Sequence, residues 1–155
     1  LTGVYNRRYM EQRLREELAR AGRGGGALSF ALLDVVGLKR VNDTLGHAAG
    51  DLVLQEVAGQ LREAVRAFDV VCRYGGDEFA VLFPDTGRAE AARAVRRALR
   101  ALAAREGVWG KGIPVSAGVA AFPHDGRSAE ALASIADRRM YQARELGVDL
   151  SAEEA

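Results

Sequence analysis

The sequence predicts an α/β chain of the α+β kind, a mixed and mainly antiparallel central sheet with a βαββαβ core surrounded by helices. Three observations carry that expectation. "LSFALLD" (28–34) and "IPVSAGVAAF" (113–122) are continuous apolar runs of strand length, the pattern of strands buried on both faces. "DVVCRY" (69–74) and "EFAVLF" (78–83) follow one another with only "GGD" between them, which reads as a hairpin. The remaining long segments carry helical spacing, so strands alternate with helices except at that one direct connection, which favours a mixed sheet over a doubly wound one.

From Tyr9 to Ala21 the apolar positions Met10, Leu14, Leu18 and Ala21 recur at helical spacing among many charges, predicting an amphipathic helix that "RGGGA" (23–27) stops. The first apolar run then ends in Asp34. "VVGLKRVND" (35–43) reads as a turn with a charged end. A strong helical pattern follows, Leu54, Val57, Ala58, Leu61 and Val65, with Asp51 placed as its N-cap or first-turn acid. In the hairpin, Gly75 and Gly76 are expected to supply the positive φ angles that tight turns demand. Between Ala89 and Arg105 the apolar set Ala91, Ala94, Val95, Ala98, Leu99 and Leu102 lies opposite Arg93, Arg96, Arg97 and Arg100. Ser128 to Leu146 is a last helix, closed by Gly147.

At 155 residues and 16.6 kDa the chain fits one domain, 1–155, which reads as a piece excised from a longer regulatory protein. No apolar run approaches the roughly 20 residues of a membrane helix. The net charge of +1 gives no general reason to expect nucleic acid or membrane contact. One cysteine, Cys72, forms no internal disulfide, and with two histidines the chain lacks the ligands of a zinc site. A cytoplasmic setting is the expectation.

The acids around the hairpin raise the functional question. Neighbouring residues of a strand point to opposite faces, so Asp77 shares a face with Phe79 and Val81 while Glu78 projects to the other. If the hairpin lies beside the strand ending at Asp34, carboxylates converge at one end of the sheet, and their repulsion calls for a cation between them. Mg²⁺ takes a few carboxylate or carbonyl oxygens together with phosphate oxygens. Such a constellation suits phosphoryl or nucleotidyl transfer. Turn capping is the alternative use of the same acids.

"RYGGDEFAVLFPDT" closely resembles the signature of GGDEF domains, the diguanylate cyclases. The resemblance extends through "LTGVYNRRYM", "LLDVVGLKRVNDTLGHAAGDLVL", "VSAGVAAFPHDG" and "ADRRMYQARELG", essentially the entire chain. It implies a fold like that of nucleotide cyclases and polymerase palms, in a bacterial second-messenger protein. The implied reaction joins two GTP molecules, held by two facing domains of a homodimer, into cyclic di-GMP with release of two pyrophosphates. By the same resemblance Asp34, Asp77 and the backbone carbonyl of Val35 ligate Mg²⁺ or Mn²⁺. Asp77 also stands as the catalytic acid, with Glu78 its partner in the signature. Lys39 steadies charge on the reacting phosphates; Asn42, His47 and Asp51 bind substrate; Gly75 and Gly76 let the chain approach the phosphates; and Arg144 stands at a phosphate-binding position. An inhibitory site for the product is implied at Arg66 and Asp69 of "RAFD", joined by Arg97. An upstream sensor or regulatory domain is the further implied partner.

Two places depart from the family pattern. Its Asp-x-Asp-x-Phe-Lys stretch runs here Asp34-Val35-Val36-Gly37-Leu38-Lys39, without the second acid and the aromatic. Its Ala-Lys-x-x-Gly-Arg appears as Ala143-Arg144-Glu145-Leu146-Gly147-Val148. Val36, Leu38 and Val148 therefore support a second expectation, a weak or inactive domain that senses cyclic di-GMP or GTP by binding alone.

Overall fold

A computed structural model describes residues 2–150. In chain order it contains β1 (Tyr5–Asn6), α1 (Arg7–Gly24), β2 (Leu28–Val35), α2 (Leu38–Leu45), α3 (His47–Ala64), β3 (Val70–Arg73), β4 (Glu78–Pro84), α4 (Arg88–Ala103), β5 (Glu106–Gly107), β6 (Gly110–Lys111), β7 (Val115–Phe122) and α5 (Ala129–Leu146). The main sheet has the strand order β1-β3-β4-β2-β7; β5 and β6 form a separate small hairpin. Among the described strands the β1–β3 pairing is parallel, a single parallel bridge joins Ala117 to Leu150, and β2 lies antiparallel to both β4 and β7. The sheet is therefore mixed and mainly antiparallel, as the sequence predicts.

All eight residues of β2 and all eight of β7 are buried, because helices cover both faces of the sheet. Ala31, Leu33, Val35, Phe79, Val81 and Phe83 point to one face and pack against Val53, Val57 and Leu61 of α3 and Val95, Leu99 and Leu102 of α4. Leu28, Phe30, Leu32, Ala80 and Leu82 point to the other, against Met10, Leu14 and Leu18 of α1 and Leu132, Ala136 and Met140 of α5. The alternation of side chains along each strand divides the core into these two layers.

Helix ends follow local chemistry. The Asn6 carboxamide accepts from the Tyr9 N–H at 2.9 Å and the Ser128 hydroxyl from the Ala131 N–H at 3.0 Å, the N-caps of α1 and α5. Gly25 and Gly147 close the same helices in the left-handed conformation, φ +70° and +67°.

Three local expectations are corrected. The stretch read as a charged turn contains α2: Gly37 turns the chain at φ +81° and Leu38 is buried, while Lys39, Arg40 and Asp43 are exposed and mask the short apolar stripe. Next, α3 begins at His47, so Asp51 is its fifth residue and not its cap. Gly46, at φ +93°, both ends α2 and precedes α3, and the buried row Ala49, Val53, Val57 extends the helical spacing back past Asp51. Finally, neither Gly75 nor Gly76 is among the glycines with positive φ. The four-residue connection 74–77 closes through Tyr74 N–H and Gly75 N–H, both donating to the Glu78 carbonyl at 2.8 and 3.1 Å, and a loop of that length needs no left-handed pair.

Among the described glycines, the tightest approach of backbone to backbone joins β7 to α5. A Cβ on Gly118 would lie 2.2 Å from the Ala136 carbonyl oxygen and 2.4 Å from the Met140 nitrogen, both backbone atoms that cannot swing aside. Beside it the buried Arg139 guanidinium donates to the Val119 carbonyl at 2.7 Å and to both Asp125 carboxylate oxygens at 2.9 Å. Gly118→Ala is therefore expected to destabilise the chain by about 3 kcal/mol through overpacking, read as a lower urea midpoint with unchanged slope. A midpoint within error of wild type would show that α5 is free to retreat.

Candidate active site

The β2–β4 register sets Asp34 directly opposite Glu78, so both side chains leave the sheet on the α5 face. Asp77, one residue before β4, belongs to the opposite alternation. Its backbone carbonyl accepts from the Val35 N–H at 2.9 Å, tying the hairpin tip to the end of β2. Asp77 lines a cavity on the α2 side with Lys39, Arg40, Asp43 and Arg144. Asp34 and Glu78 line a second cavity of about 470 Å³ on the α5 side, with Asp137, Tyr141 and Arg144. The two carboxylates of the signature thus face different spaces, with Asp34 against the boundary between them.

Asp34 is nearly buried, and its Oδ2 accepts from Arg144 at 2.7 Å. Burial is the largest influence on its carboxyl, and the adjacent Asp77 and Glu78 push the same way. Arg144 opposes them only in part, leaving the pKa raised to about 6. Glu78 is also raised, by burial first and then by Asp77 and Asp137. Lys39 does little to offset this charge: its side chain is 92% exposed and lies 3.7 Å from Asp43.

Among the described residues, no three His, Cys, Asp and Glu side chains are gathered as a ready metal cage. The donors present nevertheless fit a hard divalent cation. Asp34 and Glu78, carboxylates from adjacent strands, are both raised by burial and by the neighbouring Asp77, the backbone of Val35 lies alongside, and a Mg²⁺ ion fills its remaining positions with water and phosphate oxygens.

Over residues 1–149 the sequence matches the family described as diguanylate cyclase, GGDEF domain. The chain belongs to the GGDEF family. It is 43% identical over 153 residues to the diguanylate cyclase DgcP of Pseudomonas aeruginosa, covering 96% of this chain and 22% of that protein. The GGDEF domain of PA1120 from the same species superposes with a TM-score of 0.88 at 35% identity, over 94% of this chain and 93% of that one. The GGDEF domain of DgcB from Caulobacter crescentus, solved in complex with c-di-GMP, gives 0.87 at 28% identity, over 96% and 90%. The chain spans about a third or less of the length of the curated relatives it matches. Among the described residues of this GGDEF domain no helix is long and apolar enough to cross a membrane.

Other residues expected at the substrate site lie apart from the acids. Asn42 sits on α2 with its carboxamide against Gly50, where a Cβ would meet its Oδ1 at 1.8 Å. Gly50 immediately precedes the half-buried Asp51, so Asn42 and Asp51 are presented at the α2–α3 junction. His47, the first residue of α3, is exposed. A Cβ on Gly76 would meet nothing, whereas one on Gly75 would crowd the Glu78 Oε1 at 3.2 Å. Of the two, Gly75 is the one where an added Cβ would meet Glu78, at the movable end of its carboxylate.

The "RAFD" segment is closed on itself. Asp69 accepts from the Arg66 backbone N–H at 2.8 Å and pairs with its guanidinium at 3.4 Å. The same guanidinium reaches the Pro84 carbonyl and the Thr86 hydroxyl and lies 4.5 Å from the centre of the Phe68 ring. The Asp69 side chain is only 2% exposed, so its carboxylate is turned toward Arg66 and not toward solvent. Arg97 donates to the Ala64 carbonyl at 2.9 Å and so caps α3 from α4.

Asp137 is the site residue that sequence reasoning misses. Its spacing with Tyr141 and Arg144 on α5, i, i+4 and i+7, is the available signal.

Because the folded chain holds the Asp34 proton more tightly than an unfolded chain does, its penalty is absent below the ordinary pKa of 3.8. It grows as pH rises and is complete above about 6. Asp34→Asn should therefore raise the melting temperature of the metal-free protein by a few degrees at pH 8 and by less at pH 5. Melts in a chelating buffer check this; a lower melting point at pH 8 contradicts the assignment.

Proposed function

We propose that this domain is a diguanylate cyclase that acts as a homodimer on two GTP molecules, and that cyclic di-GMP inhibits it at a second site. The observation that carries the reading is the gathering of Asp34 at the end of β2, Glu78 at the start of β4 and Asp77 just before it around two adjoining cavities that share Arg144, with Lys39 in the one on the α2 side. Membership of the GGDEF family supports it, as does the c-di-GMP complex of the DgcB domain.

In this proposal the 3′-oxygen of each nucleotide bonds to the α-phosphorus of the other. The phosphorus–oxygen bond to the β-phosphate breaks, and pyrophosphate leaves. The proton of the attacking hydroxyl passes to a carboxylate of the hairpin tip, Asp77 with Glu78 beside it. Asp34, Asp77 and the Val35 carbonyl would hold Mg²⁺ or Mn²⁺, which when bound neutralises phosphate charge and makes the hydroxyl more acidic. Lys39, solvent-exposed at the start of α2, and Arg144 bind the transferring phosphates. Asn42 accepts and donates along the guanine edge, Asp51 accepts from its N–H groups, and His47 lies alongside. The open space at Gly76 leaves room for a phosphate to approach.

Purified protein at dimer-forming concentration, given GTP and Mg²⁺, should yield cyclic di-GMP by chromatography. Asp77→Ala should lower the rate at least about 100-fold and Lys39→Ala about 10-fold or more. Absence of product from the wild type in a dimeric, signal-competent full-length form would sink the reading. Val148 is the missing phosphate contact, so Val148→Arg should tighten GTP binding about tenfold, with little change in melting temperature.

The product site is proposed at Arg66, Asp69 and Arg97. Occupation requires Arg66 to leave Phe68 for a purine, an exchange of one flat partner for another. Arg66→Ala should abolish inhibition by added cyclic di-GMP while leaving the initial rate within about twofold. Persistent inhibition in that variant would place the site elsewhere.

A further inference from the structure

Arg144 lines both cavities at the sheet end, the α2 side with Lys39 and Asp77 and the α5 side with Glu78 and Asp137. Its guanidinium is bonded to Asp34, yet its own side chain remains 54% exposed while that of Asp34 is 7% exposed. The close seating of α5 on Gly118 fixes the helix that carries it, so Arg144 can change partner only by turning its side chain, which is a fast motion for a half-exposed arginine. Lys39 is 3.7 Å from Asp43 and almost wholly solvated, so Arg144 is the cation that meets the buried acid.

A guanidinium and a divalent ion compete for the same carboxylate oxygens, and two cations at one carboxylate repel one another. We infer that Arg144 is the resident counter-ion of the metal site: it occupies Asp34 until a metal-bearing nucleotide arrives, then yields Asp34 to the metal and turns to the phosphates. This inference rests on the GTP- and metal-dependent reading above. It orders assembly, because the incoming phosphates give Arg144 another anionic partner at the moment it gives up Asp34. A free divalent ion brings no such replacement and binds the empty site weakly. Arg144 acts here as a positioning residue for a ligand of the metal, in addition to any phosphate contact of its own.

The test measures Mn²⁺ binding without nucleotide, by the electron paramagnetic resonance signal of the free ion, for wild type, R144Q, R144L and R144K. Both neutral variants should bind Mn²⁺ about tenfold or more tightly than wild type, as loss of a nearby positive charge requires, and R144K should stay within about threefold of it. With Mn²⁺ and a non-hydrolysable GTP analogue the order should reverse, the neutral variants binding the analogue about tenfold more weakly. Circular dichroism melts identify any variant that has lost its fold, and the remaining neutral variant then decides. If wild type binds the metal–analogue complex but the neutral variants gain no affinity for Mn²⁺ alone, the counter-ion role is overturned and the nucleotide reading stands. If wild type binds neither Mn²⁺ nor the complex, both fall together.

Discussion

The antiparallel ladder between β2 and β4 is the constraint on which the site depends. Seven consecutive pairs, from Leu28 opposite Pro84 to Asp34 opposite Glu78, lock the hairpin against the central strand. A slip of one residue would exchange the two faces of β4. It would bury Glu78 among Leu33 and Phe79's partners and turn Phe79 toward α5. The apolar residues therefore enforce the position of the acids: the same alternation that fills two core layers delivers Glu78 to one cavity and Asp77 to the other. The electrostatic penalty of gathering these carboxylates is carried by the hydrophobic burial of the ladder beneath them, and relieved in part by Arg144.

Much of this is legible in the residues. The two continuous apolar runs carry the pattern of strands covered on both faces, and the short "GGD" connection makes a hairpin the economical reading. Given that hairpin, opposite orientations for Asp77 and Glu78 follow from the pleat alone. Other features were hidden for identifiable reasons. In α2, Leu38, Val41 and Leu45 keep helical spacing over only two turns, among charged neighbours that read as a turn, and the helix is held because Leu38 packs into the core and Gly37 turns the chain. β1 is two residues long and is made by its neighbour β3, not by its own composition. The β5–β6 hairpin around Val108 and Trp109 is likewise too short to carry a pattern.

Side-chain partnerships were the least legible level. No spacing rule links Asp34 to Arg144, 110 residues away, or Arg139 to Asp125. They arise because β7 and α5 approach at Gly118 until backbones touch. The arginines of α4 show the opposite lesson: their periodicity marks a polar face correctly, but periodicity is silent on which of them caps α3. Val36 and Leu38 also become intelligible. Leu38 is a core residue under α2, so the absence of an aromatic there leaves an apolar position apolar, whereas Val36 removes a charge from the end of β2.

The parallel pairing of β1 with β3 has a mechanical meaning. Tyr5 and Asn6 are bonded in register with Cys72 and Arg73, and Arg73 reaches on to the Gly76 carbonyl at 2.7 Å. Asn6 is also the cap from which α1 departs. The N-terminal strand is thus fastened to the strand that leads into the hairpin tip, four residues before Asp77. The start of α1 and the acids of the hairpin tip are therefore tied to the same strand, β3, by main-chain pairing on one side and by the Arg73 side chain on the other.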